Sequence, residues 1–334
     1  MRLLVTGGAG YIGSAVAAMA ADEGHQVAVL DDLSTGHADA VPPAASFVRG
    51  SVVDHAQPLL REGVDAVLHF AAKSLVGESM AEPSRYWRHN LGGALALLEA
   101  MRATETMKIV FSSTAAVYGE PDRLPIEETA PPRPTSPYGA SKLAVDVALA
   151  EHARMHGFGA VSLRYFNVAG AHCDLGGRWY GERHSPETHL IPSVLAAASG
   201  GAGGRVRIFG DDYPTPDGTC VRDYIHVTDL ARAHLLALEA CAPGTHEVYH
   251  LGSGAGYSNR EVLEACREVT GQPIPMEIAP RRPGDPAALV ASAEKIRAER
   301  GWVPGRPLHT MVSDAWQFYL QRSANRMPTT KDAR

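Results

Sequence analysis

Between a β-branched and Leu-rich stretch at residues 2–6 and an Ala-rich stretch at residues 11–23 lies Gly7-Gly8-Ala9-Gly10-Tyr11-Ile12-Gly13. A strand that enters a helix through so short a glycine-rich turn commits the chain to a parallel βαβ unit. Gly7 permits the tight turn, Gly10 lets the backbone approach a pyrophosphate, and Gly13 allows close helix packing, while N–H groups at the helix start face the anion. Glycines also serve as plain connectors, and it is the strand-turn-helix context that points to a dinucleotide. The next strand ends in Leu30-Asp31-Asp32, where one of the two acids would accept hydrogen bonds from the adenosine ribose and repel a 2′-phosphate. That favours NAD over NADP.

Strand-like runs recur at residues 26–30, 66–70, 108–112 and 159–165, with helix-like runs at 84–102 and 140–156. The pattern predicts an α/β fold built on a Rossmann-type doubly wound parallel sheet. After about Asn167 it loosens into Gly/Pro-rich turns, such as Gly200-Gly201-Ala202-Gly203-Gly204 and Tyr213-Pro214-Thr215-Pro216-Asp217-Gly218, which predicts a smaller mixed α/β C-terminal cap. The expected division is a dinucleotide-binding domain carrying the catalytic residues at 1–166 and a predominantly substrate-binding cap at 167–322. Some of the cap's chain is expected to return to the first domain, and 323–334 to form a flexible polar tail. The stripes Ala94, Leu97, Leu98, Met101 and Leu143, Val147 read as core faces.

With 45% of 334 residues hydrophobic, the chain can bury a full core. A net charge of -6, from 37 acidic and 31 basic side chains, provides no basic field for nucleic acid or an anionic membrane. No run of about 18 apolar residues is available to span a bilayer, and the N-terminal apolar run is too short for a signal peptide. Cys173, Cys220, Cys241 and Cys266 form no CxxC pair, so reduced thiols in a cytoplasm are expected. His184-Ser185-Pro186-Glu187-Thr188-His189 lacks HExxH spacing, and Pro186 interrupts any helix that would bring the histidines together. No metal site is expected there.

Tyr138-Gly139-Ala140-Ser141-Lys142 places a phenol and an ammonium one turn apart on one face at a helix start. A phenol of ordinary pKa, about 10, is a poor base at neutral pH, and a nearby ammonium favours its ionised form. Tyr138 is therefore the candidate base. The strand Phe111-Ser112-Ser113-Thr114 ends in hydroxyls, of which Thr114 either bonds the substrate oxygen that Tyr138 deprotonates or satisfies the strand terminus.

At this point the sequence resembles the extended short-chain dehydrogenase/reductases, and among them the UDP-glucose (UDP-galactose) 4-epimerases. Further segments carry the resemblance: Leu30-Asp31-Asp32-Leu33-Ser34, His69-Phe70-Ala71-Ala72, Val76-Gly77-Glu78-Ser79, Leu163-Arg164-Tyr165-Phe166-Asn167, Asp217-Gly218-Thr219 and Val221-Arg222-Asp223-Tyr224-Ile225-His226-Val227. It implies reversible 4-epimerisation through a 4-keto sugar, with Tyr138 as base, Lys142 lowering its pKa and binding the nicotinamide ribose, and Thr114 beside them. The implied NAD contacts are Gly7, Gly10, Tyr11, Ile12, Gly13, Asp31, Asp32, Leu33, Ser34, Thr35, Gly36, Ser51, Val52, Phe70, Ala71, Ala72, Ser74, His89, Thr114, Tyr138, Lys142 and Phe166. UDP-sugar contacts fall on Asn167, His189, Leu190, Phe209, Arg222, Tyr224, Arg282, Asp285 and Leu289, with Arg222 and Arg282 suited to the diphosphate. A homodimer is also implied, to which the helices at 84–102 and 140–156 would contribute.

The sequence departs from its relatives at three cofactor positions. Ser51 stands where an Asp commonly contacts adenine, Ser74 replaces a Lys near the pyrophosphate with Lys73 beside it, and His89 replaces an Asn. Leu289 stands where members strict for non-acetylated sugars carry a bulky Tyr, which implies room for UDP-N-acetylhexosamines. A nucleotide-sugar 4,6-dehydratase is disfavoured, because Ala115 and Ala116 follow Thr114 and alanines carry no proton. The alternatives left open are a 4-epimerase of UDP-pentoses or UDP-uronates and a non-catalytic NAD-binding regulator.

Overall fold

Where Val, Ile and Leu dominate, the chain forms strands, and where Ala does, it forms the helices that lie on them. The computed structural model describes residues 1–200, 204–282 and 285–326, the side chains of 325 and 326 excepted. Six strands come from the first half: β1 (Arg2–Thr6), β2 (Gln26–Asp31), β3 (Ser46–Arg49), β4 (Ala66–His69), β5 (Lys108–Thr114) and β6 (Gly159–Tyr165). The cap contributes β7 (Asn167–Ala169), β8 (Ala171–Cys173), β9 (Trp179–Gly181), β10 (Val206–Phe209), β11 (Val221–His226), β12 (Thr245–Leu251), β13 (Gly256–Ser258), β14 (Met276–Ala279) and β15 (Ala288–Leu289). β12 leaves it to pair with β6, giving a seven-stranded sheet in the order β12-β6-β5-β4-β1-β2-β3, parallel throughout. The strand order reverses between β1 and β4, so a crevice opens there at the carboxyl ends of the strands, where ligands of such sheets bind.

Alternation along β1 shows how both faces are covered. Leu3 and Val5 join the layer of α1 (Tyr11–Asp22) and α8 (Val227–Glu239), with Val16, Ala17, Ala20, Leu230 and Ala233. Leu4 joins the opposite layer, where α2 (Val52–Leu60), α5 (Gly93–Ala103) and α6 (Pro137–His156) bring Leu59, Leu97, Met101 and Leu149. Each fully buried Val, Leu or Met among them contributes about 1.5–3 kcal/mol of hydrophobic stabilisation. Ala94, Leu97, Leu98 and Met101 are core as expected, and Leu143 packs beside a buried cluster, but Val147 is 57% exposed.

The expected helix at 84–102 is interrupted. After the short α3 (Val76–Ala81) come α4 (Pro83–Tyr86), a π-helical segment Trp87–Gly92, and α5. The wider turn aims Asn90 inward. Its Oδ1 accepts from Lys73 N at 2.8 Å, and its Nδ2 donates to Lys73 O at 3.1 Å and to Ser141 Oγ at 3.0 Å. A π-bulge of this kind commonly serves a functional site.

In the cap, β7, β13 and β15 assemble around β11, while β10 pairs with β14 and β8 with β9. α7 (Leu190–Ala198), α9 (Asn259–Thr270) and α11 (Leu308–Arg326) enclose a separate core of Val194, Leu195, Val262, Leu263, Met311 and Val312. α9 opens with a capping box, Ser258 accepting from Glu261 N and Glu261 accepting from Ser258 N. α8, β12 and α10 (Glu294–Arg300) return to the large sheet. Residues 323–326 of the expected flexible tail instead continue α11, and 327–334 lie outside the described residues, as do 201–203 of the glycine run. No helix among the described residues is long and apolar enough to cross a membrane.

Candidate active site

The crevice at the strand reversal continues under the cap as one cavity of about 530 Å3. Its floor is the glycine turn. Gly7 sits at φ +72°, and a Cβ there would come within 2.6 Å of Ala71 N; one on Gly13 would come within 2.2 Å of Gly7 O. α1 then starts behind an extended Gly10 with no side-chain cap, which leaves its first N–H groups to an anion.

Asp31 ends β2 buried, its Oδ2 accepting from Ala9 N at 3.0 Å and its Oδ1 from Leu33 N at 2.8 Å. Burial pushes its carboxyl above the ordinary range against those two bonds. Asp32 is exposed and accepts from Ser34 N at 2.8 Å. Burial pushes its carboxyl up, but the Ser34 hydrogen bonds and the Lys73 and His89 charges outweigh that and hold it below the ordinary value. Both acids line the cavity, as do Gly7, Gly10, Tyr11, Ile12, Gly13, Ser34, Thr35, Ser51, Val52, Phe70, Ala71, Ala72, Ser74, His89 and Phe166. Leu33 and Gly36 do not. Leu33 adopts φ 59° behind Asp31, and Gly36 abuts the Asp31 carboxylate so closely that a Cβ would lie 2.9 Å from Oδ1. The Ser51 hydroxyl is already engaged as the N-cap of α2, accepting from Asp54 N and donating to Asp54 Oδ2 at 2.6 Å.

Lys73 takes a larger part than its sequence position suggested. It lines the cavity 8% exposed, its backbone held by Asn90 and its Nζ donating to Ser34 Oγ at 3.0 Å. No local pattern signals this, because it depends on the inward turn of Asn90.

The wall opposite the glycine turn holds the candidate chemistry. Ser136 caps α6 by accepting from Gly139 N at 3.2 Å, and Pro137 at the first position fixes the entry. Tyr138 follows, its ring edge-on to Tyr86 with centroids 6.3 Å apart. Burial raises its phenol above 10, and a hydrogen bond with Thr114 works against that rise. Lys142 lines the same cavity. Its Nζ donates to Ser112 O at 2.7 Å, lies 4.7 Å from the centre of the Phe111 ring and is 2% exposed. Burial brings its ammonium down to about 7, partly countered by Asp146. Thr114 accepts from Ala116 N at 3.1 Å, so it satisfies the strand end while it faces the cavity. Beneath, Asp146 accepts from Arg164 Nη2 at 2.8 Å and Nε at 3.0 Å and from Ser113 Oγ at 3.1 Å, a buried anchor joining α6 to β5 and β6.

On the cap side, Asn167, His189, Leu190, Arg222, Tyr224, Asp285 and Leu289 reach the cavity. The Arg222 guanidinium is positioned by Val221 O and Pro286 O at 2.9 Å each and lies 3.7 Å from Asp285. Leu289 comes alongside because β15 pairs with β11, Leu289 opposite Arg222. Phe209 and Arg282 are not among the lining residues. They stack on each other, the guanidinium 3.9 Å from the ring centre.

The two histidines expected to stay apart instead meet. Residues 182–189 form no helix, yet His184 and His189 lie with ring centroids 5.3 Å apart, both Nδ1 atoms turned to Glu182. Burial pushes the Glu182 carboxyl up, but His189 and His184 outweigh it and hold it at about 2. Burial lowers His189, and the Glu182 and Glu187 charges overcome this and raise it to about 9.

The glycine floor, the strand-end acids and the uncapped α1 fit a dinucleotide. A family model described as "NAD dependent epimerase/dehydratase family" matches residues 3–252. A protein of Corynebacterium glutamicum named UDP-glucose 4-epimerase is 54% identical over 320 residues, covering 95% of each chain. The crystal structure of UDP-glucose 4-epimerase from Bifidobacterium longum in complex with NAD+ and UDP aligns with a TM-score of 0.91 at 38% identity, covering 97% of this chain and 99% of that one. The UDP-Glc/GlcNAc 4-epimerase from Campylobacter jejuni aligns with a TM-score of 0.81 at 38% identity, covering 96% and 99%.

Proposed function

The chain belongs to the NAD dependent epimerase/dehydratase family, and on that premise we propose that it interconverts UDP-glucose and UDP-galactose with bound NAD. What carries the reading is that Tyr138, Lys142 and Thr114 share one cavity with the glycine turn and Asp31, in a chain 54% identical to a named UDP-glucose 4-epimerase. Bound NAD would supply a reversible hydride acceptor for C4 of the sugar, and its positively charged ring would favour an ionised phenol. Tyr138 removes the proton of the 4-hydroxyl and gives it back, while Thr114 orients that oxygen. Lys142 would hold the nicotinamide ribose from its place beside Ser112. The residues of the glycine turn, Lys73 and the strand-end acids hold the rest of the dinucleotide, and Arg222 meets the diphosphate of the sugar nucleotide.

Ala115 and Ala116, which also line the cavity, supply no acid or base for water elimination, and this favours epimerisation over dehydration. The test is incubation with UDP-galactose without added cofactor, followed by proton NMR. UDP-glucose should form, and Tyr138→Phe should lose at least about a thousandfold in turnover while still binding NAD. A fully active variant would refute the assigned base. Failure to convert this sugar, with conversion of UDP-xylose or UDP-glucuronate, would move the substrate to the pentose or uronate class; no conversion of any would favour a non-catalytic regulator.

Half-buried Leu289 at the cavity wall supports a second substrate, the UDP-N-acetylhexosamines, by leaving space where a larger side chain would fill it. The finer biological setting is also a proposal: a homodimer in the cytoplasm, its interface formed by α5 and α6, whose Leu95 and Val147 are exposed at 38% and 57%.

A further inference from the structure

The segment that joins β9 to α7 gathers four metal-ligating side chains of which the epimerase reading makes no use as a set. One donor atom from each of Glu182, His184, Glu187 and His189 lies within 4.8 Å of all the others. The Glu182 side chain is 6% exposed, and a single one of its oxygens, Oε1, faces both imidazole Nδ1 atoms. His189 Nδ1 hydrogen-bonds to it. His184 Nδ1 lies 2.8 Å from the same oxygen, out of line for a hydrogen bond, and this buried nitrogen has no hydrogen-bond partner among the described residues. A cation held by both atoms would turn this contact into coordination.

The charge argues the same way. The cluster brings two carboxylates together in a partly buried loop. The nearest guanidinium in sequence, Arg183, is committed to a two-pronged pair with Asp39, both contacts 2.8 Å. A dication would neutralise the pair of carboxylates in place of the proton that His189 shares with Glu182.

We propose that Glu182, His184, Glu187 and His189 form a binding site for a divalent transition metal. Two imidazole nitrogens and two carboxylates match the tetrahedral donor set of zinc, and of cobalt in its place, and are poorly suited to magnesium or calcium, which prefer oxygen alone. Closing the donors onto bonds of about 2.0–2.2 Å draws them together from their present spread, a movement of side chains on one loop. The site stands at the edge of the cavity, yet the proposal does not depend on the epimerase reading.

The tag-free full chain, stripped with chelator and dialysed, is titrated with zinc by calorimetry and with cobalt by visible absorption. The expected result is one zinc per chain and an intense tetrahedral cobalt band that zinc displaces. His184→Ala and Glu187→Gln should each weaken binding by about 100-fold or more, since even outer-sphere partners of metal ligands are worth 10–100-fold. Thermal unfolding of the metal-free variants serves as the folding control: a variant that unfolds early is set aside and the other, or Glu182→Gln, decides. No binding to the folded wild type at about millimolar zinc, where affinity would be worth only about 4 kcal/mol, overturns the proposal. So does binding that both substitutions leave unchanged, which would place the metal elsewhere.

Discussion

Replacing Lys142 by Met should make the NAD-free protein more stable while removing its activity. The Lys142 ammonium is 2% exposed, and burial lowers it from the ordinary 10.5 to about 7. At 1.36 kcal/mol per pKa unit, that drop corresponds to about 5 kcal/mol of penalty for holding the charge in the folded state. The substitution also removes the donor to Ser112 O, and a buried carbonyl left without a partner costs about 1–3 kcal/mol. The net expectation at pH 7 is a gain of about 2–4 kcal/mol, the side chain's length and apolar stem being kept.

The pH dependence identifies the cause. Between pH 7 and 10.5 the unfolded chain holds the lysine proton and the folded chain has released it, so wild-type stability rises with pH through that window. Below pH 7 the lysine is charged in both states, and the full penalty is felt. The Met variant has no such proton, and its advantage should therefore shrink by most of about 5 kcal/mol as pH rises from 7 to 10.5. Urea unfolding of both NAD-stripped proteins at several pH values measures the difference, and groups common to both, such as the buried tyrosines, cancel from it. An advantage that stays constant with pH, or a variant less stable than the wild type at pH 7, would refute the reasoning. The sign also gives the burial a purpose: the stability forgone holds a cation at the wall shared with Tyr138 and Thr114, which a methionine cannot supply.

Gly13→Ala should fail to bind NAD and lose about 1–3 kcal/mol, because its Cβ would meet Gly7 O at 2.2 Å; fluorescence titration with NADH and thermal unfolding check both. Asp146→Ala should cost about 3–5 kcal/mol by stranding buried Arg164, whose side chain is 8% exposed, and a loss below about 1 kcal/mol in urea unfolding would show that the pair is solvated. Leu289→Tyr should reduce turnover of UDP-GlcNAc at least about tenfold relative to UDP-glucose, measured as the ratio of kcat/KM; an unchanged ratio would mean that this position does not set the room for an acetamido group.

How much of this could be read from the sequence depends on how local each cause is. β6 matches its expected bounds, 159–165, because a strand buried on both faces writes a continuous apolar run. The glycine turn was equally legible, since its steric demand is met within a few residues. The helix at 84–102 was misread at its middle because what widens it, Asn90 reaching Lys73 and Ser141, lies 17 and 51 residues away. For the same reason the anchor of Lys142 was not legible: helical spacing puts it on one face with Tyr138, and the strand beneath supplies Ser112 O as the acceptor of its ammonium. The segment 182–189 marks the limit most clearly. Pro186 does exclude a helix, and the inference that the histidines must then stay apart fails because a loop needs no helical period to bring two rings together. What the sequence could not express is Glu182, a lone acid with no motif around it, whose one oxygen organises both imidazoles. A residue of this kind becomes visible only when burial and convergence are known, and those are the properties that decide whether a polar side chain is solvated surface or part of a site.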